Sequence, residues 1–127
     1  IKGVNRILFG LDIEADPEYR LVESYITKDR IEKLQRIDYY VNTILKESGE
    51  YNSVWQMPVV LLPLLNKNGD ECIVLRPIAS QEAMTARFVP LMDETLSKIL
   101  EKAQKISGIG DVFFDITNKP PGTIEWE

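Results

Sequence analysis

The chain has 127 residues, of which 44% are hydrophobic and 28% charged, and its formal net charge is −5. This length and balance predict a single soluble domain with a modest core, and the acidic charge argues against nonspecific binding to nucleic acid or anionic lipid. Histidine is absent, which excludes the catalytic and metal sites that depend on it.

Composition also constrains the compartment and the cofactor motifs. The single cysteine, Cys72, cannot form an internal disulfide, which fits a reducing compartment. The sequence contains neither a signal-like start nor an apolar run near the roughly 20 residues of a membrane-spanning helix. We therefore expect a cytoplasmic protein with no membrane contact. The glycines spell neither a P-loop nor a dinucleotide fingerprint.

The amino-terminal half predicts a strand, a linker and a helix. Residues 1–13 are predicted to form a strand that ends before Asp16-Pro17, and a linker of mixed polarity follows to about residue 27. Residues 29–48 predict an amphipathic helix because apolar residues recur at three- and four-residue spacing. Asp29 is suited to cap the start of this helix, and Gly49 to end it in a left-handed turn.

The rest of the chain predicts a hairpin, a helix and a last strand. Residues 57–65 and 72–76 predict two strands joined by the turn NKNGD, hence an antiparallel hairpin. A second helix follows Pro90, and Gly108 is its stop signal. The last strand, residues 111–117, alternates between two faces. The covered face is predicted to hold Val112, Phe114 and Ile116, and the mostly wet face Asp111, Phe113, Asp115 and Thr117.

This element order predicts an α+β fold. We expect helix-strand-strand-helix-strand, with the helices on one face of a small three-stranded antiparallel sheet. Such a small sheet exposes edges, and pairing with a second copy is a common way to cover them.

An internal similarity connects the two ends of the chain. Residues 1–11 align at a constant offset with residues 106–116, with identities at isoleucine, glycine and phenylalanine positions. We therefore expect residues 1–27 to be the end of a preceding repeat with a linker, and residues 28–127 to be the domain itself. Two unrelated short strands, each following a glycine, remain an alternative.

The most unusual segment is residues 119–127, KPPGTIEWE. Its two prolines stiffen the backbone, Lys119 suits a phosphate, and Glu125 suits ribose hydroxyls or a base N–H. Composition alone favours a plainer interpretation, a proline-rich tail that frays.

Five segments carry a family resemblance: residues 53–59 (SVWQMPV), 74–77 (VLRP), 83–86 (AMTA), 114–117 (FDIT) and 119–127. Together they resemble the carboxyl-terminal dimerisation and XMP-binding region of the glutamine-hydrolysing GMP synthases. Residues 3–9 (GVNRILF) resemble the end of the first of two dimerisation repeats in the longer, eukaryote-like members. The chain is therefore most similar to the second repeat of such a long form.

The resemblance implies a ligase of purine nucleotide biosynthesis that converts XMP to GMP with ATP, Mg²⁺ and ammonia released from glutamine. The amidotransferase and ATP-pyrophosphatase domains of such enzymes carry the chemistry, so this chain alone is expected to be inactive and to hold no cofactor. Its implied roles are to form a homodimer and to complete the XMP site. Matched motif by motif, Gln56, Lys119 and Glu125 fall on XMP-binding positions, and Arg76 and Thr85 are weaker candidates.

Two other functions are alternatives. The first is a purely structural dimerisation module whose tail makes no contact with a nucleotide. The second is an RNA-binding module of the KH type, which needs a basic Gly-x-x-Gly loop. No glycine pair has that spacing and the chain is acidic, so the sequence argues against RNA binding.

Overall fold

The computed structural model describes residues 6–54, 56–82 and 85–117, with the backbone alone for residues 80–82 and 85–88. Within these ranges the strands and helices follow one another as β1 (Leu8–Leu11), β2 (Arg20–Leu21), α1 (Lys28–Ser48), β3 (Val59–Leu65), β4 (Glu71–Leu75), β5 (Ile78–Glu82), β6 (Thr85–Phe88), α2 (Asp93–Gln104) and β7 (Ile109–Asp115), and a short 3₁₀ turn occupies Tyr51–Ser53. The α+β class predicted from the sequence is confirmed.

Both predicted helices are present, although the residue that caps the start of α1 differs from expectation. Thr27, and not Asp29, caps α1, because the Thr27 hydroxyl oxygen accepts a hydrogen bond from the Arg30 N–H at 3.2 Å. Asp29 lies in the first helical turn, where a negative charge still complements the positive end of the helix dipole. Gly49 ends α1 with φ 83°, as predicted.

The sheet is larger than predicted and it is mixed. Five strands lie in the order β1-β7-β4-β3-β2, and β5 and β6 form a separate two-stranded sheet. The predicted β3–β4 hairpin is antiparallel. The expectation of three strands, all antiparallel, was wrong because β7 pairs with β4 in parallel. A parallel pair needs a long crossover, which β5, β6 and α2 provide.

β1 is an outer strand of this same sheet. It pairs antiparallel with β7, and Phe9 lies directly opposite Phe114. These two phenylalanines are also the residues that the internal sequence similarity makes equivalent. The structure thus places the two similar segments side by side as neighbouring strands of one sheet.

Both faces of the sheet are buried at its centre. The helices pack on one face, where Ile73, Leu75, Val112 and Phe114 join the main core. A second apolar cluster, built on Leu62, Cys72 and Val74, lies on the other face together with Tyr19 from the predicted linker. The prediction of a mostly wet face on the last strand was wrong, because Asp115 is fully buried and Thr117 is 4% exposed.

Candidate functional site

The candidate site lies where the two parallel strands β4 and β7 end. Leu75, the last residue of β4, pairs with Phe114, so the next residues, Arg76 and Asp115, lie side by side. Side chains alternate along a strand, which places Asp115 on the same face as Phe113, away from the helices. The parallel pairing thus brings the ends of both strands to one edge of the sheet.

A buried charge network joins these strand ends. The Arg76 Nη1 group donates to Asp115 Oδ1 at 3.0 Å and to the Thr117 carbonyl at 2.8 Å. Asp115 Oδ1 also accepts the Thr117 N–H at 2.8 Å, and Asp115 Oδ2 pairs with Arg6 Nη1 at 3.2 Å. One carboxylate therefore holds two guanidinium groups and the backbone of Thr117.

The described part of the network brings two guanidinium groups to one carboxylate. Burial is the largest effect on the pKa of Arg76 and lowers it, the nearby Arg6 charge lowers it further, and Asp115 opposes both. Arg76 is 1% exposed, and its Nε and Nη2 groups have no hydrogen-bond acceptor among the described residues. Two buried donors of one guanidinium thus remain available for an acceptor.

Thr117 is also held from the side of the first strand. Its hydroxyl oxygen accepts the Ile7 N–H at 2.6 Å, and the Ile7 carbonyl accepts the Ile116 N–H at 3.0 Å. Thr117 is the last residue that the structure describes before the segment of residues 118–127. The point from which that segment departs is fixed by contacts from β1, β4 and β7.

Gln56 lies at the same end of the sheet. Its N–H and carbonyl form an isolated bridge with Ile78, at 3.2 and 2.9 Å, just beyond the end of β4. Arg76 is tied to the same chain segment because its N–H donates to the Pro58 carbonyl at 3.0 Å. Gln56 is exposed, so its side-chain amide is accessible to a ligand.

The remaining predicted site residues are placed less fully. Thr85 begins β6 and pairs with Glu82 at the turn of the β5–β6 hairpin. Ile78, which contacts Gln56, lies at the opposite end of that hairpin. The structure therefore does not bring Thr85 to Gln56 and Arg76. Lys119 and Glu125 lie outside the described residues. Lys119 follows Thr117 by two residues, and an extended chain spans at most about 7 Å over that length.

Sequence reasoning missed the role of Asp115, Arg6 and Thr117. A usable signal was present in residues 114–117, FDIT, because an aspartate two residues before a threonine is typical of a side chain that accepts a local backbone N–H. The alternation of polar and apolar residues was instead interpreted as a solvent-facing surface. A buried carboxylate is stable there only because cations neutralise it.

Within the described part of the chain, no helix is long and apolar enough to cross a membrane. The same residues contain no cluster of three or more histidine, cysteine, aspartate or glutamate side chains that could hold a metal ion.

Comparison with known proteins identifies a family that this chain matches. Residues 43–126 match the family described as the GMP synthase C terminal domain. The chain belongs to this family. The match includes both Gln56 and almost all of the carboxyl-terminal segment.

Individual relatives agree with the family. The chain is 42% identical over 127 residues to a protein of Leptospira interrogans named a probable glutamine-hydrolyzing GMP synthase, covering 98% of this chain and 21% of that protein. It is 40% identical over 111 residues to the GMP synthase of Corynebacterium glutamicum, covering 80% of this chain and 21% of the relative. It is 38% identical over 110 residues to the GMP synthase of Cytophaga hutchinsonii, covering 80% of this chain and 22% of the relative. The chain spans about a fifth of the length of these relatives.

Proposed function

We propose that this chain is the carboxyl-terminal part of a glutamine-hydrolysing GMP synthase and that it completes the XMP site of that enzyme. The observation that carries the proposal is the family match over residues 43–126, which extends into the segment KPPGTIEWE. The enzyme is a ligase that makes GMP from XMP, using ATP and ammonia derived from glutamine.

Three residues are proposed to contact XMP. Lys119 offsets the charge of the phosphate, and Glu125 accepts hydrogen bonds from donors on the nucleotide. Gln56 both donates and accepts at the oxidised purine edge. The exposed position of Gln56 near the strand ends supports its role. Arg76 and Thr85 remain weaker candidates for direct contact.

The remaining chemistry is assigned to other domains of the parent enzyme. The amidotransferase and ATP-pyrophosphatase domains would release the ammonia and bind ATP with Mg²⁺, so the isolated chain is proposed to be inactive. The parent is proposed to act in the cytoplasm.

Two organisational proposals go with this function. The first is that residues 1–27 end a preceding repeat and residues 28–127 form the domain, and the direct pairing of Phe9 with Phe114 supports it. The second is a homodimer of the parent. The outer strand β1 supports the dimer, since Ile7 is 52% and Phe9 59% exposed there and an outer strand can accept another.

The proposal is tested by turnover of the intact enzyme. Release of AMP and pyrophosphate that depends on XMP is measured for the wild type, for Lys119→Ala and for Lys105→Ala. Lys105 is a matched control because it is a surface lysine, 66% exposed, paired with Glu101. We expect Lys119→Ala to raise the KM for XMP about tenfold or more while the dimer, measured by light scattering, persists. An intact enzyme without XMP-dependent turnover contradicts the proposal, and full activity of Lys119→Ala leaves only a structural dimerisation module.

A further inference from the structure

We propose that Arg76 is a positioning residue that fixes Thr117, and through it the starting point of residues 118–127. The consequence for XMP rests on the proposed function. The anchoring of the segment is a property of this chain alone.

The environment of Arg76 favours an indirect role. Its side chain is 1% exposed, so the guanidinium presents almost no surface to solvent. Its Nη1 group divides its contacts between the Asp115 carboxylate, at 3.0 Å, and the Thr117 carbonyl, at 2.8 Å. What Arg76 holds directly is therefore the backbone from which the carboxyl-terminal segment departs.

Thr117 is held through every polar group it has. Its carbonyl accepts from Arg76, its N–H donates to Asp115, and its hydroxyl oxygen accepts from the Ile7 N–H. These contacts come from three adjacent strands or their ends, so they restrict both the position and the direction of the chain. Removing Arg76 leaves the Thr117 carbonyl without this donor, and the Thr117 carbonyl belongs to the peptide group that joins Thr117 to residue 118.

The choice of arginine is informative. A buried guanidinium with two unpartnered N–H donors costs free energy that an apolar side chain of similar size would avoid. Arginine offers several donors in a rigid planar fork and can hold a carboxylate and a carbonyl at once, whereas lysine is a compact point charge on a flexible stem. Both contacts of Arg76 come from Nη1, which the rigid planar group holds in place, and Arg76→Lys removes that planar group while keeping the charge.

The expected effect follows from the short distance along the chain. Lys119 is two residues from Thr117, so a loosened Thr117 displaces the Lys119 backbone directly. Misplacing a substrate-positioning group by about 1 Å can cost on the order of a hundredfold in rate. A loosened anchor samples both correct and incorrect positions, so we expect about a tenfold rise in the KM for XMP.

The test compares Arg76→Lys with Arg30→Lys in the intact enzyme. Arg30 is a matched control because it also pairs with a carboxylate, Glu71, at 2.7 Å, and Glu71 begins the strand that Arg76 follows. Glu71 and Arg76 are five residues apart along the strand, a distance of about 16 Å. Arg76→Lys is expected to raise the KM for XMP about tenfold and to leave the KM for ATP within about twofold. Arg30→Lys is expected to leave both within about twofold.

Hydrogen exchange supplies a readout that does not depend on activity. In Arg76→Lys, the amides of Ile116 and Thr117, which donate to Ile7 and Asp115, are expected to exchange several times faster, while those of α1 keep the wild-type rate. Thr117→Val is the second variant, because it removes the hydroxyl that accepts from Ile7 without touching the buried charges. It is expected to shift the KM for XMP and the exchange in the same direction, by less, and it decides the matter if Arg76→Lys does not fold.

The outcomes separate the inference from the proposed function. Faster exchange in α1 and at Ile116 and Thr117 alike would assign Arg76 a general structural role and overturn the inference. An unchanged KM for XMP in a variant that folds and turns over would also overturn it. If the wild-type enzyme makes no use of XMP, the proposed function fails, and the exchange rates alone decide whether Arg76 anchors the segment.

Discussion

Replacing Asp115 with asparagine tests the buried network most severely. Asp115 is fully buried and accepts from Arg6, Arg76 and the Thr117 N–H. The Asp115→Asn variant keeps the shape and one carbonyl oxygen, but it removes the charge that neutralises both guanidinium groups. Removing one partner of a buried ion pair costs roughly 3–5 kcal/mol. Because asparagine still accepts one hydrogen bond, we expect a loss near the lower end, about 3 kcal/mol of the free energy of unfolding.

Urea unfolding of the 127-residue chain, followed by circular dichroism at neutral pH, measures this loss. Glu94→Gln is the matched control, since it neutralises a carboxylate that is 78% exposed and paired with Lys98, and its expected cost is below about 0.5 kcal/mol. A loss at Asp115 smaller than about 1 kcal/mol would show that the two guanidinium groups find other partners, and the reasoning on the network would be wrong.

Three further predictions concern a half-buried carboxylate, a helix start and the thiol. Burial pushes the pKa of Glu71 up, but the hydrogen bonds and charges of Lys33 and Arg30 outweigh it and hold the pKa below 4.5. The contribution of Glu71 is therefore present above that pH and lost as the pH falls through the folded-state pKa, so the urea midpoints of wild type and Glu71→Gln should differ at pH 7 and converge in acid. The carboxylate of Glu50 accepts the Met92 N–H at 2.9 Å and the Thr95 hydroxyl at the start of α2. Glu50→Ala should cost about 1 kcal/mol in the same assay, and no loss would show that these contacts do not stabilise the chain. Burial raises the pKa of Cys72 to about 11. At about pH 8 the Cys72 thiol of the native chain should therefore react with an aromatic disulfide reagent roughly a hundred times more slowly than that of the chain in urea. Equal rates would contradict the burial of this thiol.

The helices and the hairpin could be predicted because their signals are local. Residue spacing, Gly49 and the turn NKNGD each act over a few residues. The pairing of β4 with β7 is not local, because β5, β6 and α2 separate the two strands in the chain. A helix between two strands is compatible with a parallel crossover, but the sequence contains no signal that selects β4 over another neighbour for β7.

The site was predicted in part, for a related reason. Gln56 and Arg76 were named from motifs, and the structure brings their backbones to one end of the sheet. The role of Asp115 depends on which residue lies beside it across the sheet, and that follows only from the parallel register with β4. The alternation of residues alone predicts that Asp115 faces solvent. It contains no information on Arg76, the cation that pairs with Asp115 from the end of the neighbouring strand.

Equilibrium binding of XMP to the intact enzyme, without ATP or glutamine, tests the central claim most directly. The claim is that this domain supplies part of the XMP site through Lys119. We expect Lys119→Ala to weaken XMP binding about tenfold or more, the loss of one charge-assisted contact to phosphate, while Lys105→Ala binds as the wild type does. Equal affinity of Lys119→Ala and Lys105→Ala for XMP would contradict the claim.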